Sequence, residues 1–190
     1  MGTVAFTGYR PNKMPFKEDK YNKQYIRFRE LQFKVISRLT ERGYTHFISG
    51  VAIGFDTWAA EDVLELQSKE KISLECAIPC PYQEQKWSFA DKKRYTKILR
   101  EASKTTLVCR IHSDDCYFLR NKYMVDNADV IVCAYDGRPG GTAHTVSYAL
   151  NQNKIVIQIN PTTLQVKIIS KRTFHDEEDI LTKGNNDAKT

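Results

Sequence analysis

Along this chain, short β-branched runs alternate with longer stretches in which apolar residues recur with helical spacing. The short runs predict strands at Thr3–Thr7, His46–Ser49, Leu74–Pro79, Thr105–Cys109, Val130–Tyr135 and Ile155–Ile159. Several are apolar almost throughout, as strands covered on both faces are. In residues 24–42, Phe28, Leu31, Val35 and Leu39 share one face with Ile36 beside it, which predicts an amphipathic helix. Ile26 and Phe33 fall on the opposite side, either to meet a second copy or as scattered surface residues. Asp56–Lys69 predicts a second helix with Ala59, Ala60, Val63 and Leu66 inward, and Asp91–Ala102, Tyr117–Asn127 and Thr142–Gln152 predict three more.

Strand and helix in strict alternation imply a parallel sheet with right-handed crossovers and helices on both faces. The expected fold class is α/β, a three-layer Rossmann-like, doubly wound and mostly parallel sheet. At 190 residues the length fits one domain with a real core, expected over residues 1–170, with Val166–Ile169 as an edge strand. From about Lys171, charges mix with Gly184, Asn185 and Asn186, so 171–190 reads as a fraying tail with a short helix at Asp176–Leu181.

Composition narrows the class. Hydrophobic residues at 41% and charged residues at 27% exclude a disordered chain. No apolar run approaches the roughly 20 residues of a membrane span, so no membrane partner is expected. The first residues enter a strand without a signal-peptide pattern, and the expected location is the cytoplasm. Five cysteines, Cys76, Cys80, Cys109, Cys116 and Cys133, contain no C-x-x-C; Cys76, Cys109 and Cys133 lie in strand-like segments and read as buried, reduced thiols. The histidines lack metal-ligand spacing, so neither a metal nor another cofactor is expected. The net charge of +6 is uneven: residues 10–42 hold ten Lys or Arg against four Asp or Glu, and 86–104 hold seven against two. Such a surface suits a phosphate-bearing partner, small or polymeric, or else consists of solvated helix faces.

In open parallel sheets, ligands bind beyond the carboxyl ends of the strands. Three such places stand out. After the first strand comes Thr7-Gly8-Tyr9-Arg10-Pro11, where Gly8 frees the backbone and Arg10 offers a guanidinium to a phosphate or carboxylate, or else the stretch is a plain turn. After the second, Ser49-Gly50-Val51-Ala52-Ile53-Gly54-Phe55-Asp56 opens a helix. Ser49, Gly50 and Gly54 shape the turn, the helix start offers unpaired N–H groups, and Asp56 either caps the helix or holds a ribose hydroxyl. The third is the helix opened by Arg120 and Asn121, with the turn Asp136-Gly137-Arg138-Pro139-Gly140-Gly141-Thr142, where Thr142 is placed to cap the next helix. Arg120 points at the same crevice or makes a surface salt bridge. In Pro79-Cys80-Pro81-Tyr82-Gln83-Glu84-Gln85-Lys86-Trp87, a base would stack on Trp87 and be read by Gln83 or Gln85, or the prolines simply end a strand.

The Ser-Gly-x-Ala-x-Gly-Phe-Asp run, the Arg-Asn-x-x-Met helix and the Gly-Gly-Thr turn together resemble the SLOG superfamily of Rossmann-like domains, and within it the YpsA/YoqJ-like family. The resemblance runs from Gly8-Tyr9-Arg10 to about Pro161 and implies nucleotide binding or sensing, with a nucleotide or ADP-ribose-like ligand at Gly8, Arg10, Ser49, Gly50, Gly54, Asp56, Trp87, Arg120, Asn121, Asp136, Gly140, Gly141 and Thr142. SLOG relatives often pair, which implies a homo-oligomer. The chain is also similar to the LOG phosphoribohydrolases: Arg120 and Met124 match an arginine four residues before a methionine, and Pro139-Gly140-Gly141 matches their turn. Ala143, His144, Val146 and Ser147 stand where that family has Gly, Thr, Glu and Glu, so its catalytic glutamate is absent. Nucleotide N-glycoside cleavage would then need another carboxylate, Asp56, Glu61 or Asp136, with Arg120 as a further catalytic candidate. DNA-processing protein A carries segments similar to Ser49–Asp56 and Arg120–Lys122, which implies a single-stranded nucleic-acid partner, with Tyr9, Trp58, Tyr82 and Trp87 as stacking platforms or as core.

Overall fold

The computed structural model describes residues 2–170. The tail over 171–190 and its helix at Asp176–Leu181 lie outside the described residues. Seven strands form one sheet: β1 (Gly2–Gly8), β2 (Tyr44–Ser49), β3 (Ser73–Ile78), β4 (Lys104–Leu107), β5 (Val130–Ala134), β6 (Ile155–Ile159) and β7 (Val166–Ile169). Their order is β4-β3-β2-β1-β5-β6-β7; the first six are parallel and β7 closes the edge antiparallel to β6. The helices are α1 (Lys23–Glu41), α2 (Phe55–Gln67), α3 (Phe89–Glu101), α4 (Cys116–Asp126) and α5 (Gly141–Asn151).

The pleat divides the core. Val4 and Phe6 of β1, with Phe47, Leu74, Val130, Val132 and Ile157, face α1, α2 and α3, which contribute Phe28, Ile36, Leu39, Phe55, Trp58, Val63 and Ile98. Ala5 faces the other way with Ile48, Ala77, Ile131, Cys133 and Val156, against Met124 and Val125 of α4 and Val146 and Ala149 of α5. Strands buried on both faces therefore read as continuous apolar runs. The first layer is aromatic: Phe28 meets Phe55 and Trp58 edge-on, with ring centroids 6.2 Å apart in both pairs, a favoured geometry for buried rings.

Two details differ from the sequence reading. Phe33 is half-buried and packs on the first core layer, while Ile26 stays exposed. Cys109 lies past the end of β4 and is half-buried, whereas Cys76, Cys80, Cys116 and Cys133 are buried; all five thiols are free. Among the described residues no helix is long and apolar enough to cross a membrane.

At the start of α1, the Asn22 side-chain oxygen accepts from the N–H groups of Gln24 (3.0 Å) and Tyr25 (3.1 Å). These donors have no partner inside the helix. Asn22→Ala is expected to lower the unfolding free energy by about 1 kcal/mol in urea denaturation.

The chain steps from β1 outward to β4 beneath α1–α3, then crosses to the far side of β1 through α4 to enter β5. The loops after β1 and β5 thus part in opposite directions, and a crevice opens at the carboxyl ends of these two central strands.

Candidate functional site

The turn between β2 and α2 is fixed by Ser49. Its hydroxyl accepts from the Val51 N–H (3.0 Å) and donates to the Asp56 carbonyl (2.8 Å). Gly54 holds φ +100°, and a Cβ there would stand 2.7 Å from the Tyr9 carbonyl oxygen, so both conformation and space call for glycine. Two of the donors at the start of α2 are already engaged: the Phe55 N–H donates to the Tyr9 carbonyl (3.3 Å) and the Thr57 N–H to the Ala52 carbonyl (3.1 Å). Asp56 is the second residue of α2 and does not cap it; Gly54 sits at the cap.

Arg120 ties this turn to α4. It is buried; its Nη1 donates to the Gly50 carbonyl (2.7 Å) and its Nε to Asn121 Oδ1 (2.8 Å). It therefore makes no surface salt bridge. A Cβ on Gly50 would fall inside the Arg120 guanidinium. Asn121 Nδ2 in turn donates to Thr145 Oγ1 (3.1 Å), which donates to the Gly141 carbonyl (3.0 Å). A continuous chain of hydrogen bonds thus runs from the β2 turn to the start of α5.

The start of α5 is open where that of α2 is closed. Gly140 occupies the cap position at φ +141°, and Thr142 makes no capping bond. The first backbone donor of α5 with a partner is His144, to the Gly140 carbonyl (3.1 Å). Among the described residues, the N–H groups of Gly141, Thr142 and Ala143 have no acceptor. Such a terminus carries partial positive charge and free donors.

These pieces surround one cleft of about 330 Å³, lined by residues 7–10, Asn12 and Lys13 after β1, Ala52 and Asp56 at α2, Tyr117, Arg120 and Asn121 on α4, and Gly141 and Thr142 at α5. Burial pushes the Asp56 carboxyl up to about 6, although Arg120, Arg10 and backbone groups of Ala52 and Gly8 favour its charged form. Burial also lowers the pKa of Arg120, with Asp56 acting in the opposite direction. Arg10, Lys13 and Arg120 against the single carboxylate Asp56 leave the cleft net positive.

Gly8, Arg10, Asp56, Arg120, Asn121, Gly141 and Thr142 are thus gathered on the cleft surface, with Ser49, Gly50, Gly54 and Gly140 shaping the backbone behind it. Three candidates stand apart. Asp136 accepts from the Tyr9 hydroxyl (2.6 Å) and from Arg138 Nε (3.0 Å to each oxygen), which hold it down to about 2 and occupy it. Glu61 is paired with Arg94 and Arg29 in a different hollow beside α3. Trp87 packs edge-on against Tyr95, centroids 5.3 Å apart, and lines a neighbouring hollow of about 640 Å³. Gln83 is buried, with its Nε2 3.5 Å from the Gly50 carbonyl, and so supports the turn. Sequence reasoning passed over Lys13 and Tyr117. Tyr117 precedes Arg120 by three residues, a spacing that puts both on one helix face. Lys13 follows Arg10 by three residues across the 3-10 turn Pro11–Lys13.

Comparison with known proteins agrees with this architecture. A UPF0398 protein from Bacillus pumilus (strain SAFR-032) is 29% identical over 185 residues, covering 94% of this chain and 98% of the relative. A UPF0398 protein from Bacillus cereus (strain ATCC 14579) is 29% identical over 161 residues, covering 82% and 86%. Among solved structures, DNA processing protein A from Streptococcus pneumoniae shares the fold at a TM-score of 0.58 and 17% identity, covering 94% of this chain and 54% of that one. The Helicobacter pylori protein of the same name, solved for its single-stranded DNA binding mode, gives a TM-score of 0.57 at 16% identity, covering 83% and 65%. This chain therefore spans only about half to two-thirds of those two proteins. The family model YpsA, described as the YspA SLOG family, matches residues 4–168, and the chain belongs to that SLOG family.

Proposed function

We propose that the cleft binds a nucleotide or a nucleotide derivative such as an ADP-ribose-like compound, and that binding or sensing it is the function of the protein. One observation carries this reading: the glycine turns after β2 and β5 line a single net-positive cleft at the sheet's switch point. The phosphate lies at the open N–H groups of Gly141, Thr142 and Ala143, flanked by Lys13 and Arg10. The α2 terminus is a poor second cradle, because the Phe55 and Thr57 donors are spent and the Asp56 carboxyl already occupies its positive end. Asp56 instead accepts a ribose hydroxyl. The free thiols suit a reducing compartment, and the cytoplasm is the proposed location.

Calorimetry against a panel of nucleoside mono- and diphosphates and ADP-ribose tests this. The expected result is micromolar binding of at least one compound, weakened roughly tenfold in Arg10→Ala by loss of a charged contact. A folded protein that gives no heat with any member overturns the reading.

Asp56 also favours a second reading, hydrolysis of a nucleotide N-glycosidic bond. A buried carboxyl near 6 is suited to move a proton at neutral pH. Val146 and Ser147 stand at the positions of the LOG glutamates, so Asp56 would have to act in their place. Chromatography for free base decides this: base release that persists in Asp56→Asn removes Asp56 from the role. Single-stranded DNA binding is the third reading, motivated by exposed Tyr82 and by Arg10 on the hollow beside the cleft. A gel shift that weakens steeply with salt would support it, and no shift at low salt removes it.

A further inference from the structure

A second groove of about 490 Å³ runs between α4 and α5 and opens directly off the cleft, sharing Tyr117, Asn121 and Gly141 with it. Its character is different. Tyr117, Phe118, His144 and Tyr148 present four rings. On α4, Phe118 is 57% exposed and Tyr117 37%. Tyr148 is held in place: its hydroxyl donates to Asp126 (2.7 Å), and Lys122 Nζ lies 5.8 Å from its ring centroid. Asp114 and Asn121 add polar groups to the groove's lining. The hollow containing Trp87 mixes the charged and amide side chains of Arg10, Lys86, Gln83 and Gln85 with the rings of Tyr82 and Trp87, and the Trp87 ring is already packed on Tyr95.

We propose that the α4–α5 groove holds the nucleobase of the bound ligand, with the base stacked on the exposed rings of Tyr117 and Phe118. This rests on the reading of the cleft as a nucleotide site and specifies where the rest of the ligand goes. The phosphate at Gly141 and the base in the groove are then joined past Asn121, which lines both spaces. An aromatic heterocycle is the matching occupant, since ring stacking tolerates any base and is most effective on rings that are presented but not enclosed. A site of this kind, a polar end continuous with an apolar slot, also fits the general build of small-ligand pockets.

The test compares adenosine monophosphate with ribose 5-phosphate, which has the same sugar phosphate and no base. Binding of both is measured by calorimetry in the intact chain and in Phe118→Ala and Trp87→Ala. Phe118 is exposed, so its truncation leaves the core untouched. The intact protein is expected to prefer adenosine monophosphate roughly tenfold or more, and Phe118→Ala to erase most of that preference while leaving ribose 5-phosphate binding unchanged. Trp87→Ala should leave the preference intact. If both compounds bind equally and Phe118→Ala changes neither, the groove assignment is wrong and the phosphate cleft stands. If the preference is lost in Trp87→Ala instead, the base lies in the other hollow. Sedimentation of the same variants covers the remaining occupant. A dimer that Phe118→Ala converts to monomer, with the preference unchanged, makes the groove a contact between copies and overturns the proposal. If neither compound nor any other nucleotide binds, the cleft reading itself fails and the base site with it.

Discussion

Arg120→Met should lower the unfolding free energy by about 3–5 kcal/mol at pH 7.5 and abolish ligand binding. Arg120 is inside the protein, and three groups depend on it. The Gly50 carbonyl would lose its 2.7 Å donor and keep only the long 3.5 Å bond from Gln83 Nε2, and a buried acceptor so poorly satisfied costs about 1 kcal/mol or more by itself. Asn121 would lose the donor that orients its amide toward Thr145. Asp56 would lose its largest favourable charge interaction while remaining buried. Methionine replaces the aliphatic stem but none of these bonds. Urea denaturation measures the loss, with an unchanged slope showing that the same surface unfolds. The deficit should shrink at pH 5, where the Asp56 carboxyl is largely protonated and needs the cation less. A loss below 1 kcal/mol at pH 7.5 would mean that the link from Gly50 to α4 contributes little.

Asp56→Asn is expected to have the opposite effect on stability: a gain of about 3 kcal/mol at pH 7.5 in the ligand-free protein, with loss of ligand binding. Burial raises the folded carboxyl from 3.8 to about 6. Between those values the native state holds a proton that the unfolded chain has released. The stability conferred by the protonated group is therefore complete below about pH 4 and lost as pH rises through 6. The displacement corresponds to about 3 kcal/mol once the group is ionised. Asparagine does not ionise, so the variant's advantage should be large at pH 7.5 and vanish near pH 4. Asp62 is also pushed up to about 6 by burial, despite Arg29 and Gln32. It adds its own pH dependence to both proteins and cancels in their difference. Unfolding curves across pH 4–8 read the effect directly. Equal stability of the two proteins at every pH would show that Asp56 is not under strain. A residue that costs stability in the empty protein is what a binding site predicts.

The fold is largely legible because the central strands are apolar almost throughout and the longest helix, α1, has one apolar stripe. The order of the sheet is less so. Nothing local in Val130–Ala134 says that it pairs with β1; that pairing depends on α4 crossing over rather than returning to β4. Within the site, glycines reveal themselves through local need: Gly54 must adopt a left-handed φ, and Gly50 must make room for a guanidinium. Carboxylates do not, because their role depends on who pairs with them. Glu61 looks like Asp56 in sequence, yet Arg94, some thirty residues away, claims it. Asp136 is claimed by Arg138 two residues on and by Tyr9 at the other end of the chain. The aromatic residues divide the same way: Trp58 is fully enclosed, whereas Phe118, which drew no attention as part of an ordinary helix, faces solvent.

The absence of a side chain at Gly50 has an evolutionary consequence. The space that a methyl group would occupy is filled by the tip of a residue seventy positions away, so neither position is free to drift alone. Alanine could take root at 50 only in a lineage that had already shortened or withdrawn the arginine. Such a lineage would have surrendered the bridge between the halves of the sheet. Among diverging members of the family, the two positions should be inherited as a single unit.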